Sequence, residues 1–149
     1  MRTLAIDLGT RRIGLAMSDE GGRFATPHSV LKVTSPEQAI DPILKLIRLE
    51  DVKRVLVGLP LNMDGTFGAQ AKQAVEWASR LKSWTSVDLL FVDERLSSFE
   101  AEQQLRDRKR GGEKLTRRLK KEQLDALAAA SFLQSFLDGK LGSIDPTQR

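Results

Sequence analysis

The stretch Thr3 to Gly14, TLAIDLGTRRIG, constrains the fold more than any other part of the chain. Leu4, Ile6 and Leu8 alternate with Thr3, Ala5 and Asp7, the period-two pattern of a strand with two distinct faces. Asp7 therefore points away from the Leu/Ile face, near the end of the strand and beside a glycine turn at Gly9. A carboxylate sealed in a dry interior is costly, so Asp7 is expected to be partly solvated, hydrogen-bonded or facing a cation. The alternative is an aspartate that merely begins the turn, since Asp stabilises turns through its own backbone.

The turn GTRR leads into a second alternating run, Ile13 to Ser18, and after Asp19 to Gly22 into a third, Ala25 to Val33. Turns this short make an antiparallel meander the economical pairing. His28 lies in the third strand beside Pro27, where a structural or solvent-edge role is expected. Ser35-Pro36-Glu37 reads as a helix start, with Ser35 as N-cap and Pro36 at the first helical position. Ile40, Ile43, Leu44, Leu46 and Ile47 supply its inward stripe. Lys53 to Leu59, KRVLVGL, is a nearly continuous apolar run, suited to a strand covered on both faces and paired in parallel with the first.

Pro60 to Gly68 is a loop by composition, and Ala69 to Trp84 follows as a helix with Ala71, Val75, Ala78 and Leu81 on one face. Trp77 and Trp84 are a heptad apart, and core packing is expected of both. The strand Val87 to Val92 ends in Asp93-Glu94-Arg95, so Glu94 emerges at a strand's carboxyl end just as Asp7 does. A short helix over Leu96 to Leu105, a basic loop around Gly111-Gly112 and a helix over Leu115 to Leu137 complete the order. Asp125 shares a face with Ala128, Ala129 and Phe132; small residues there let the helix lie close to the sheet and carry the carboxylate inward. Gly139 stops that helix. The expected organisation is one domain over 1–139 and a C-terminal tail over 140–149, loose from Gly142. Its fold class is α/β, a five-stranded mixed sheet in the order 3-2-1-4-5 flanked by helices.

Composition narrows the chemistry. The chain has no cysteine and one histidine, which excludes thiolate metal sites and leaves little for a His-rich zinc site or a Ser-His-Asp triad. A metal would be held mainly by oxygen, favouring magnesium, manganese or calcium. No run approaches the roughly 20 apolar residues of a membrane span, and there is no signal-peptide layout, so a cytoplasmic protein with no membrane partner is expected. Arg106 to Lys121 carries nine basic and two acidic residues, whereas the rest of the chain is slightly acidic. A basic segment on such a body suits a polyanion partner, although many charge runs are only solvated loops. Ligands of α/β sheets gather beyond the carboxyl ends of parallel strands, where Asp7, Glu94 and Asp125 would meet. Carboxylates that repel one another can share a site with divalent cations, and two ions about 3.5–4 Å apart can drive phosphodiester cleavage without histidine or cysteine. Any one of the three acids is also compatible with a structural role.

The segments AIDLGTRRIGLAMSD at 5–19, VGLPLNMDGTFGAQA at 57–71, DERLSSFEA at 93–101 and KKEQLDALAAASFLQSFLD at 120–138 sharpen this reading. Together they resemble the YqgF/RuvX family of Holliday-junction-resolvase-like proteins, over nearly the whole chain to Gly139. That resemblance implies a ribonuclease-H-like fold and a metal-dependent nuclease acting on the precursor of 16S ribosomal RNA in ribosome biogenesis. It implies catalytic and metal-binding roles for Asp7, Glu94 and Asp125, with Mg2+ or Mn2+ as cofactor. Gly9, Thr10 and Arg12 match the family's first turn, with Gly9 and Gly14 as turn glycines, Asn62 matches the loop after the fourth strand, and Arg95 and Ser98 the third motif; Arg12, Asn62, Arg95 and Ser98 are nucleic-acid-side candidates. Arg108, Lys109, Arg110, Lys114, Arg117 and Arg118 of the basic segment join them. The related resolvases use four acids, whereas three match here, and neither Glu122 nor Asp93 is a clear fourth, so one or two ions remain open. Expected partners are nucleic acid, either pre-rRNA or branched DNA, and ribosomal precursor particles, with the protein a monomer or weak homodimer.

Two other readings compete. D-x-G-T-x-x-x-G also describes the phosphate-binding hairpin of actin and sugar-kinase-type ATPases, but those place nucleotide between two such domains and this length supplies one. A catalytically inert RNA-binding ribosome-assembly factor would use the basic segment equally well. It has no evident need, however, for three carboxylates converging on a polyanion.

Overall fold

The computed structural model describes residues 1–95 and 117–146. Its strands are β1 (Thr3–Leu8), β2 (Arg12–Ser18), β3 (Ala25–Lys32), β4 (Arg54–Leu59) and β5 (Asp88–Asp93). Its helices are α1 (Ile40–Leu49), α2 (Ala69–Lys82) and α3 (Arg117–Leu137). The sheet order is β3-β2-β1-β4-β5, as expected, with the first three strands antiparallel and β4 and β5 parallel to β1.

Alternation in β1 and β4 sorts the core onto two faces. Leu4, Ile6, Val55 and Val57 pack with Ile43 and Ile47 of α1 and with Trp77, Ala78 and Leu81 of α2. Ala5, Leu56 and Val92 turn the other way, onto Ala129, Phe132 and Leu133 of α3. The small Ala5 and Ala16 allow α3 to lie close, and this second face is where Asp7 points.

β3 is an edge strand. Leu15 pairs with Ser29 but Ala16 with Pro27, leaving His28 as an extra residue in a bulge. Proline has no N–H for the ladder and is tolerated at such an edge. His28 is exposed, its Nδ1 2.9 Å from Ser29 Oγ, which agrees with a solvent-edge role.

Four expectations need correction. The backbone at Ser35 has N-cap geometry, but its hydroxyl makes no cap; Gln38 reaches back instead, accepting from the Thr34 N–H at 2.8 Å. A 3-10 turn over Pro36–Ala39 precedes α1, because Pro42 lacks the N–H that an α-helical bond to Gln38 would require. Trp77 is buried and donates its indole N–H to the Pro36 carbonyl at 2.8 Å, but Trp84 is 73% exposed, because α2 ends at Lys82 and the heptad spacing lapses. Finally, the segment after Gly139 is not wholly loose: the Ile144 N–H donates to the Phe91 carbonyl at 2.7 Å, bridging onto β5. Gly139 itself, at φ +76°, ends α3 as expected. The short helix over Leu96 to Leu105 lies outside the described residues, as does most of the basic loop.

Candidate active site

Asp7 occupies the next-to-last position of β1, between Gly14 of β2 on one side and Gly58 of β4 on the other. Those glycines have no side chain to fill the space around its carboxylate. A Cβ on Gly58 would stand 2.6 Å from Glu94 Oε2 and 2.8 Å from Phe132 Cε2, so this position must be bare for Glu94 to reach inward. A Cβ on Gly14 would collide with the Asp125 carbonyl and come within 2.8 Å of the Ala126 nitrogen. The backbone of α3 therefore rests directly on β2 and sets Asp125 at the same place. Glu94 follows β5 and is tied back by its N–H to the Leu59 carbonyl at 3.3 Å. Strand ends, two glycines and one close helix thus bring three distant acids together.

Their mutual charge is visible in their proton affinities. Burial, then the Asp7 carboxylate, push the Glu94 carboxyl up to about 10. Asp7 is raised by burial, opposed by its hydrogen bond with Glu94 and reinforced by Asp125. Asp125 is raised by burial and held down by Arg12, whose Nε lies 2.8 Å from Asp125 Oδ2. Among the described residues, Glu94 Oε2 is buried and has no hydrogen-bond partner. Its carboxyl does meet that of Asp7, a contact that only a shared proton or a cation makes favourable. These acids are of the type that holds an oxygen-ligated divalent ion. Among the described residues, however, no three acids are already gathered as a closed metal site. Asp125 is turned toward Arg12, and would have to leave it to complete the set.

The other sequence candidates have mixed placements. Arg12, first in β2, is drawn into the site by Asp125. A Cβ on Gly9 would strike the Arg12 carbonyl, so the first turn needs glycine there. Asn62 organises its own loop: its Nδ2 donates to Thr66 Oγ1 at 3.0 Å and its side chain packs on Gly68. Arg95 clamps that loop to the end of β5, with Nε 2.7 Å from Asp93 Oδ2 and Nη1 3.2 Å from the Met63 carbonyl. Arg117 and Arg118 open α3, whereas Ser98, Arg108, Lys109, Arg110 and Lys114 lie outside the described residues. Sequence reasoning missed Gly58. Its signal was a glycine inside an otherwise apolar strand, which marks close approach by another group.

The family model for RuvX, described as a Holliday junction resolvase, matches residues 1–139. The chain belongs to the RuvX family. A relative from Anaeromyxobacter sp. strain Fw109-5 is 44% identical over 140 residues, 94% of this chain and 98% of its own. One from Chloroflexus aurantiacus is 42% identical over 137 residues, 92% of this chain and 86% of its own. Both bear the name "Putative pre-16S rRNA nuclease". Thermus thermophilus RuvC in complex with a Holliday junction superposes with a TM-score of 0.59 at 20% identity, over 97% of this chain and all of that one. Fowlpox virus resolvase with Holliday junction DNA gives 0.56 at 10% identity, over 93% and 98%. At these identities the likeness is one of fold, and this chain has the ribonuclease-H-like sheet.

Proposed function

We propose that this RuvX protein is a divalent-metal-dependent nuclease that hydrolyses phosphodiester bonds in the precursor of 16S ribosomal RNA. The observation that carries the reading is the convergence of Asp7, Glu94 and Asp125 around Gly14 and Gly58, with Glu94 Oε2 buried and lacking a donor among the described residues. A scaffold kept only for binding RNA gains nothing from such a cluster, which repels phosphate unless neutralised. The names of the relatives support the substrate.

Asp7, Glu94 and Asp125 would hold Mg2+ or Mn2+, one or two ions. Such ions supply a lowered pKa for an attacking water and positive charge for the leaving oxygen. The chain's own contribution is placement. β1 and β4 fix Asp7, the two glycines keep space around it, and α3 carries Asp125 on a rigid element. The basic residues of 106–121 supply backbone affinity without reading sequence, as phosphate contacts do. Acting on ribosomal precursor particles, the protein would work in the cytoplasm. Among the described residues no helix is long and apolar enough to cross a membrane. A monomer suffices to cut one RNA strand.

Arg12 is the counter-ion of Asp125. Arg12→Gln is therefore expected to tighten Mn2+ binding about three- to fivefold, as measured by calorimetry, the scale of a half-exposed ion pair. Unchanged or weaker binding would show that Arg12 does not compete for Asp125.

The substrate is tested by offering labelled pre-16S rRNA spanning the mature 5′ end, unstructured RNA and a four-way DNA junction, with Mg2+, Mn2+ or chelator. Metal-dependent cutting of the ribosomal precursor is expected. Preferential, symmetric cutting of the junction would establish the resolvase reading instead, and binding of every substrate without cleavage would leave an assembly factor.

A further inference from the structure

A cleft of about 560 Å3 opens at the carboxyl end of β1, on the α2 side of the sheet, and Glu94 is the one of the three acids in its lining. Leu8, Pro36 and Pro60 give it apolar surface, and α2 presents Gln70, Gln73 and Trp77 to it at helical spacing. The Trp77 indole N–H is already committed to the Pro36 carbonyl, so that buried side chain forms part of the cleft wall and offers no donor. Gln70 and Gln73 are exposed, and neither carboxamide has a hydrogen-bond partner among the described residues.

The charges decide what can enter. Among the described residues the cleft's one cation, Arg80, is paired with Glu37 at 2.9 Å, and Glu76 adds negative charge. A phosphate is therefore repelled from this space, whereas a neutral, flat group with hydrogen-bonding edges is suited to it. The volume lies within the range of small-molecule sites. Each glutamine offers a donor pair and an acceptor, matching the mixed edges of any base.

We infer that this cleft receives one unpaired nucleobase of the strand whose phosphate lies at the carboxylates, with Gln70 and Gln73 meeting its edge. The inference rests on the nuclease reading and deepens it: a base stacked and paired in a duplex cannot enter, so the substrate presents an unpaired nucleotide next to the cut. Sequence preference at that nucleotide is weak, because carboxamides accommodate more than one base.

The test uses single-stranded oligoribonucleotides that differ only in the position of one abasic nucleotide, with kcat/KM measured for each. Loss of the base next to the cut is expected to lower kcat/KM about tenfold, and loss elsewhere to change it little. Gln73→Trp, which fills the cleft from an exposed position, is expected to cut the intact strand about tenfold more slowly and to ignore the abasic site. Gln70→Leu is expected to give a smaller loss in the same direction. Cleavage indifferent to abasic position and to both substitutions would overturn the cleft while leaving the nuclease intact. If nothing is cut, the Trp77 indole N–H resonance decides. Its shift on adding a tetraribonucleotide, but not the abasic tetramer, with Trp84 unmoved, supports the cleft although the nuclease reading has failed; no shift overturns it.

Discussion

Asp7→Asn is expected to lower cleavage by about a thousandfold or more, since it removes a charged oxygen at the centre of the three-acid cluster. The same substitution is expected to make the metal-free fold more stable. Asp7 and Glu94 both have folded-state proton affinities above their ordinary values, for reasons of burial and mutual charge. Glu94, raised from 4.5 to about 10, holds a proton in the folded state that the unfolded chain has released over most of that window. The folded state then binds more protons, so stability falls as pH rises from about 5 toward 10. Asp19 and Asp64 are shifted downward by hydrogen bonds, and their contribution is lost only on acidification below about 4, outside this window. Urea unfolding in chelator should give a lower midpoint at pH 8.5 than at pH 5.5. Asp7→Asn should flatten that slope, because the charge that helps raise Glu94 is gone. Mn2+ should flatten it in the wild type. A wild-type midpoint that rises with pH, or an Asp7→Asn enzyme that cuts normally, would remove Asp7 from the centre of the site.

Much of this arrangement was legible because local periodicity and turn length carry long-range consequences. Alternation in TLAIDL told which way Asp7 points, and two short turns forced the meander that leaves β1 beside β4. The spacing of Asp125, Ala129 and Phe132 identified the face of α3 that meets the sheet. What periodicity cannot give is the identity of the atom across from a residue. Gly58 read as one more member of an apolar run, yet it leaves the space that Glu94 occupies. The Arg12–Asp125 pair joins positions 113 apart, and nothing local to either residue announces it. Trp84 shows the opposite failure: the heptad was real, but the helix that would have made it meaningful stops two residues earlier.

Gly14→Ala is expected to have the largest effect on the fold of any single methyl group added to this chain. Its new carbon would collide with the carbonyl group of Asp125 and stand 2.8 Å from the nitrogen of Ala126, both parts of the α3 backbone. A crowded side chain can rotate away, but a helix backbone held by its own hydrogen bonds cannot, so α3 as a whole must lift from β2. That movement loosens Ala129, Phe132 and Leu133 from the face formed by Ala5, Ala16 and Leu56, and withdraws Asp125 from Asp7. A loss of about 3 kcal/mol in unfolding free energy is expected, the upper range for overpacking, together with loss of activity in whatever protein remains folded. Gly139→Ala is the matched control. Gly139 has a left-handed backbone with nothing within 4 Å of a built Cβ, so alanine there should cost about 1 kcal/mol through backbone strain and leave activity alone. Equal destabilisation by the two substitutions, read from denaturant midpoints, would mean that Gly14 serves its own backbone and not the seating of α3. A Gly14→Ala protein that is stable and active would show that the third carboxylate reaches the site without close contact between α3 and β2.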